Sequence, residues 1–494
     1  MTTNLSANRE IRNYEKEDAF NFLIKADAIR YFLEDNVNSL LDNKMLALYG
    51  NWGSGKTSLM RHIEREINRG IYFPIFFEAW EHEHDDNLAL SLCDALTANI
   101  PGKASDTVKS FRKTAMAVLK GFGSGINVKF SDPISKSLEF SFDGKNAVEA
   151  FDKAMDKKAK SSFFAENQEF KKQFREIEEL IIKNSNATRI IVFVDDLDRC
   201  EPDNVLNLIT ALKLFFTYGE KTIFLAGLDK EAVTKAVVTK YQDVIKSEEY
   251  LEKVFDISFS MPKTFSLEKY LKPYFGDDVK RIEEFFTSIG FINPRHIKKV
   301  INKYEILNTF KVSASIPPEI RAYIPELIFK NERNKGNLWE TIFCLYFIIL
   351  YESFPDQFSE LEHYQTKLFG LVKPLIETKI ATGGKSNPAS ALSDIQEAVL
   401  IENLESMGIR DLLNSKPSSS QMFAKFVMIF SHGRPDGFML LWDDDLHQYD
   451  GIYKDNGILT RFCRFLILHQ KEIQQSSYSD YIFWNYFNMS KYLL

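Results

Sequence analysis

Leu46-Ala-Leu-Tyr-Gly-Asn-Trp-Gly-Ser-Gly-Lys-Thr-Ser-Leu59 is an apolar run, a glycine-rich turn and the start of a periodic segment. A polyphosphate is heavily solvated in water, so a protein that takes it up must replace those hydrogen bonds with donors held in place. Backbone N–H groups do this where no Cβ intervenes. Gly50, Gly53 and Gly55 let the chain wrap closely around phosphates, and a helix starting near Lys56 aims its unpaired N–H groups and positive dipole end at them. The spacing of Gly50, Gly55, Lys56 and Thr57 is that of a phosphate-binding loop: Lys56 reaches the β and γ phosphates, and the Thr57 hydroxyl ligates Mg²⁺. Asn51, Trp52, Ser54 and Ser58 complete the candidate nucleotide contacts, and the expected ligands are ATP and Mg²⁺. Context agrees: Met45–Tyr49 reads as a buried strand, and Leu59, Met60, Ile63 and Ile67 recur at helical spacing until Gly70.

Such a site needs a second half, a buried strand ending in acids, because Mg²⁺ prefers hard oxygen ligands and an attacking water needs a base. Arg189-Ile-Ile-Val-Phe-Val-Asp-Asp-Leu-Asp-Arg-Cys200 supplies it. The β-branched run Ile190–Val194 is short and suits a parallel strand covered on both faces. Asp195 is the candidate Mg²⁺ contact, and Asp196 the candidate for polarising water.

These two motifs, with Phe77-Glu-Ala-Trp80, Tyr250-Leu-Glu-Lys253 and Asn293-Pro-Arg-His-Ile-Lys298, resemble the KAP P-loop NTPases over roughly residues 20–310. The resemblance implies a P-loop core of the additional-strand type, a distant kinship with AAA-type machines and a link to phage exclusion in bacteria. Two departures stand out. The family usually has Asn where this chain has Glu78, and many members carry paired transmembrane helices between loop and acids, where this chain has no such stretch. The longest apolar run, Ile342–Tyr351, is far short of the roughly 20 residues that cross a bilayer.

Composition bounds the rest. A chain of 494 residues with 45% hydrophobic and 14% aromatic content has ample material for several cores. A formal charge of −7 opposes nonspecific nucleic-acid binding by the whole surface. Cys93, Cys200, Cys344 and Cys463 are scattered without zinc or disulfide spacing, and Met1–Arg12 lacks a secretory apolar segment, so a cytoplasmic protein is expected.

The expected architecture is α/β: a parallel sheet of about five strands, an inserted helix and hairpin, and an all-α carboxy-terminal domain. Residues 1–41 read as a helical lead, with Phe20, Leu23, Ile24, Ile29 and Leu33 available for packing, and 42–264 as the P-loop core. Residues 265–310 read as a helical lid and 311–494 as the all-α domain. Beyond the loop helix, Ile71–Phe77 reads as a second strand, and Trp80 with Leu88, Leu90 and Leu92 as a helix. Glu81-His-Glu-His-Asp-Asp86 reads as a solvated turn, since side chains two apart do not share a helix face.

The insertion, 101–162, begins with Lys103, Lys109, Arg112, Lys113, Lys120 and Lys129 against the single acid Asp106. Contact with an anionic partner and a plain solvated helix both suit that run. Ile126, Val128 and Phe130, then Leu138, Phe140 and Phe142, alternate around Asp132-Pro133 and predict a hairpin. A long helix with Phe170, Phe174, Ile177 and Ile181 on one face leads to the acids. Pro202 opens the next helix; strands are predicted at Thr222–Ala226 and Val254–Met261. In the last domain, Leu338–Tyr351, Phe462–Leu468 and the tail Tyr481–Phe487 read as aromatic core helices, with docking as the tail's alternative, and Asp443, Asp444 and Asp445 as a turn.

Three residues extend the candidate site. Arg295, early in a helix begun by Asn293-Pro294, reads either as a lid cation that senses the triphosphate or as an ordinary helix-surface pair. Arg199 reads either as a finger reaching a neighbouring subunit or as a salt bridge to Asp196 or Asp198. Asp229, at a strand end, is a candidate sensor of the γ phosphate. Together these predict an Mg²⁺-dependent ATPase that switches conformation, as a homo-oligomer or with a separately encoded effector. A nucleotide-bound scaffold with negligible turnover and a nucleic-acid-stimulated motor are the alternatives, the motor opposed by the acidic total.

Overall fold

The computed structural model describes residues 5, 17–85, 87–98, 100, 106–123, 126–130, 138–142, 160–241, 250–312, 317–318, 338–359, 457–469 and 472. Lys103, the Asp132-Pro133 turn, Asp443–Asp445 and the Tyr481–Phe487 tail lie outside them. The chain divides into two compact units, Arg9–Phe265 and, with the first eight residues, Ser266–Leu494.

The first unit is built on β1 (Met45–Tyr49), β2 (Tyr72–Glu78), β3 (Ile126–Phe130), β4 (Leu138–Phe142), β5 (Arg189–Asp195), β6 (Thr222–Leu228) and β7 (Ile257–Ser260). Five of these form one sheet in the order β2-β5-β6-β1-β7, with every pairing parallel. Parallel strands need covered faces, and the helices supply them: α1 (Leu23–Asp35), α2 (Lys56–Glu66), α3 (Leu88–Ala98), α4 (Asp106–Gly123), α5 (Lys160–Lys183), α6 (Pro202–Leu214) and α7 (Lys230–Tyr241). Strand periodicity divides β5 between two cores. Ile190, Val192 and Val194 join a cluster with Leu92 and Leu96 of α3, Phe170 and Phe174 of α5, and Leu208 and Leu212 of α6. Helix α2 touches β2, β5 and β6. Because β6 lies between β1 and β5, the strand that leads into the phosphate loop is not the neighbour of the strand that ends in acids.

The hairpin forms as predicted, with β3 antiparallel to β4 and Val128 opposite Phe140. Elsewhere several boundaries move. Trp80 does not open a helix: residues Ala79–His82 make a 3₁₀ turn, and α3 starts at Leu88 because the Asn87 side chain caps Ala89 N at 2.9 Å. Val254 ends a short helical turn and Phe255 follows it outside β7, which is only Ile257–Ser260 and alternates between half-buried and exposed, as an edge strand does. In the lead, Ile29 and Leu33 are buried, whereas Ile24 is 76% exposed on the outer face of α1.

The second unit is helical where described: α8 (Glu268–Phe275), α9 (Val279–Ser288), α10 (Pro294–Val312), α11 (Leu338–Ser353) and α12 (Ile458–Leu468). Helix α11 is buried from Trp339 to Leu350, and Phe462 of α12 stacks on its Tyr346 with ring centroids 3.7 Å apart. Such an all-round apolar helix is the centre of a core. No helix among the described residues is long and apolar enough to cross a membrane.

Candidate functional site

Parallel pairing brings the carboxyl ends of β1, β5 and β6 to one edge of the sheet, and the phosphate loop springs from that edge. Gly50 N donates to Leu228 O at 3.0 Å, tying the loop's first residue to β6. A Cβ on Gly50 would lie 2.6 Å from both Met261 Cγ and Ser54 Oγ, so only glycine fits. Gly53 and Gly55 adopt left-handed φ angles of 80° and 100°, and the Phe22 ring packs against Gly55. Gly55 is the N-cap of α2, so the unpaired amides of the first turn face the loop's concavity.

Lys56, the first residue of α2, is 7% exposed. Its ammonium donates to Gly50 O at 2.8 Å and Asn51 O at 3.4 Å and forms an ion pair with Asp198 Oδ2 at 2.9 Å. Asp195 closes β5 and is 1% exposed. Burial pushes its carboxyl up to about 6; the nearby Thr57 hydroxyl opposes that rise, and the Asp196 charge adds to it. Neither Asp195 oxygen has a hydrogen-bond partner of good geometry. An orphaned buried carboxylate beside a threonine hydroxyl is a donor set that fits a hard divalent cation such as Mg²⁺.

The intervening strand makes this approach feasible through Gly227. A Cβ there would sit 2.7 Å from Met60 Sδ and 2.9 Å from Asp195 Oδ1, so the missing side chain is the space through which β5 reaches toward α2. Only an Ala-Gly step in an otherwise apolar strand hints at this in the sequence.

Asp196 follows in a left-handed conformation, φ 56° and ψ 26°, that turns the chain into the 3₁₀ segment Leu197–Arg199. Its carboxyl, also raised chiefly by burial, takes Arg199 Nε at 3.0 Å. The Arg199 guanidinium lies 5.3 Å from the ring centre of Trp80, itself 52% exposed. Glu78, in register with Asp195, pairs with Arg61 of α2, whose guanidinium stacks 3.4 Å from the Phe76 ring centre. Asp229 takes Trp52 N at 3.0 Å and, through its other oxygen, caps α7 at Glu231 N, also 3.0 Å. It thus braces the phosphate loop directly. Arg295 lies in the first turn of α10, where Asn293 Oδ1 accepts from Arg295 N at 3.0 Å; that helix belongs to the other compact unit.

The KAP family P-loop domain matches residues 35–310, more than half of the chain. The chain belongs to the KAP family of P-loop NTPases. Among its relatives, the uncharacterised protein MJ0181 of Methanocaldococcus jannaschii is 46% identical over 125 residues, 24% of this chain and 50% of that protein. The uncharacterised protein MJ0182, from the same organism, is 28% identical over 175 residues, 31% of this chain and 89% of that protein. The phage T7 exclusion protein of Escherichia coli K12 is 25% identical over 181 residues, 36% of this chain and 23% of that protein. The chain therefore spans half of the first relative and under a quarter of the third.

Proposed function

We propose that this KAP protein is an Mg²⁺-dependent nucleoside triphosphatase that takes ATP, switches conformation with the nucleotide's state, and serves anti-phage defence through a separate effector. The observation that carries the catalytic part is the unpaired, buried Asp195 carboxylate held beside Thr57 at the start of the phosphate-loop helix. Nothing apolar is gained by placing it there, and its burial costs stability unless a cation meets it.

In this mechanism the loop amides and the α2 N-terminus take the phosphate oxygens, and Lys56 neutralises the β and γ groups. Asp195 and Thr57 would hold Mg²⁺, which when bound supplies charge neutralisation on the phosphates. Asp196 orients water and takes its proton; Arg199 holds that carboxylate until nucleotide arrives. Arg295 is the proposed sensor that favours the closed triphosphate form. The namesake activity of the T7 exclusion relative supports the defence role, and the buried, unpaired thiols of Cys93, Cys200 and Cys344 suit a reducing cytoplasm.

The test is steady-state turnover and nucleotide binding by the full chain and its Lys56→Ala and Asp196→Asn variants. Asp196→Asn is expected to keep binding and lose turnover by roughly 10²-fold or more, while Lys56→Ala loses both. Equal turnover in all three would remove the enzymatic claim and leave the nucleotide-bound scaffold.

A further inference from the structure

An ammonium has three N–H donors, and all three of Lys56's are engaged, by Gly50 O, Asn51 O and Asp198 Oδ2. Two of those partners are backbone carbonyls of the phosphate loop itself. The third is a carboxylate. Both ends of the ion pair are deeply buried, with side-chain exposures of 7% for Lys56 and 5% for Asp198. Screening by salt and solvent is therefore weak there, and the Coulomb attraction within the pair exceeds that of a surface bridge.

The chain geometry places Asp198 at Lys56 deliberately. Asp196 adopts the left-handed region that a non-glycine residue rarely enters, and that turn directs the 3₁₀ segment back across the strand ends. Arg199, next along the segment, is held to Asp196 and lies beside the ring of Trp80, so the segment is anchored from both sides of Asp198.

We propose that Asp198 is an internal anionic competitor for the phosphate site: its carboxylate occupies the Lys56 donor that a β or γ phosphate oxygen requires, and so sets the affinity for triphosphate. The inference rests on the reading of this loop as a triphosphate site. A phosphate oxygen that reaches Lys56 must displace Asp198, because two anions cannot share one N–H donor at close range without mutual repulsion. Displacement frees the Leu197–Arg199 segment, and with it the contacts of Arg199 to Asp196 and Trp80. Nucleotide occupancy is thereby reported at an exposed tryptophan on the rim of the sheet. This role differs from those of Asp195 and Asp196, since Asp198 acts against binding rather than for it.

The experiment uses the full chain and measures equilibrium binding of MgATP and, separately, of inorganic tripolyphosphate, to the wild type and to Asp198→Asn, Asp198→Ala and Asp198→Glu. Folding of each is checked by its melting curve. Neutralising Asp198 is expected to tighten both ligands by about tenfold or more in Kd, with Asp198→Glu, which keeps the charge, staying within a few-fold of the wild type. The tenfold ratio should persist at 0.5 M salt, where about one Debye length is only a few ångströms; a general field effect of one charge would fade. Binding by the wild type with no tightening, or weakening, in folded Asp198→Asn and Asp198→Ala would overturn the competitor role alone. A ratio that vanishes at high salt would overturn it too. No saturable uptake by any of the four proteins would overturn the triphosphate reading and this inference together.

Discussion

Replacing Asp195 by Asn should make the protein more stable when no metal is present. The carboxylate is 1% exposed, has no well-formed hydrogen bond, and its folded-state pKa rises from an ordinary 3.8 to about 6, chiefly through burial. That rise corresponds to roughly 3 kcal/mol of cost for holding the charged form in the fold at neutral pH. The sign follows from the direction: a group whose pKa is raised by folding favours the folded state while protonated. The penalty is therefore absent below about pH 4, grows between about pH 4 and 6, and is complete above that. Asn has nearly the same shape and carries no charge, so it removes most of the penalty. Urea denaturation at pH 7 in EDTA should show Asp195→Asn more stable by about 2–3 kcal/mol, with the gap closing as pH falls toward 4. With MgATP present the order should reverse, because the wild type gains binding free energy that the variant forgoes. An Asn variant equal to or weaker than the wild type in EDTA would refute the argument, since it would mean the carboxylate is satisfied by the fold itself.

Gly227→Ala should cost about 1–3 kcal/mol and weaken MgATP binding, because the new methyl meets Met60 Sδ at 2.7 Å and Asp195 Oδ1 at 2.9 Å; binding and melting curves check both effects. Glu178→Ala should destabilise by about 2–4 kcal/mol in urea denaturation, since this 1% exposed carboxylate accepts from Glu220 N at 2.8 Å, Lys221 N at 3.0 Å and Thr222 Oγ1 at 2.7 Å. Asp229→Ala should lower stability by only about 1 kcal/mol, the scale of a lost helix cap, yet weaken MgATP binding several-fold by releasing the Trp52 amide it braces.

The parts of this fold that local chemistry controls were legible in the residues. Five β-favouring runs became the strands of the parallel sheet, β1, β5 and β6 because a strand covered on both faces must be apolar, and β7 as a shortened edge strand. Glycines at 50, 53 and 55 announced the phosphate loop, since two of them take left-handed φ and the third has no room for a side chain. What escaped reading depends on contacts between distant segments. The Lys56–Asp198 pair joins residues 142 positions apart and requires the left-handed turn at Asp196, which no pattern of residue types specifies. For Asp229, the candidate γ-phosphate sensor, the bond to the Trp52 amide was not legible, because that amide is reached only once β1 and β6 are adjacent. Trp80 misled because apolar spacing continued past it, although Asn87 was the stronger signal for where a helix begins. Ile24 shows the same limit: its apolar side chain sits within a helical pattern yet faces outward, as single exposed hydrophobics often do.

One glycine loop, one ammonium and one buried carboxylate together are proposed to hold a magnesium-bound triphosphate. Titration calorimetry of MgATP into the intact chain, with Lys56→Ala in parallel, addresses this most directly. Saturable uptake at one site per chain is expected in the wild type and none in the variant. Heat signals that are identical in the two proteins, or absent from the folded wild type, would contradict it.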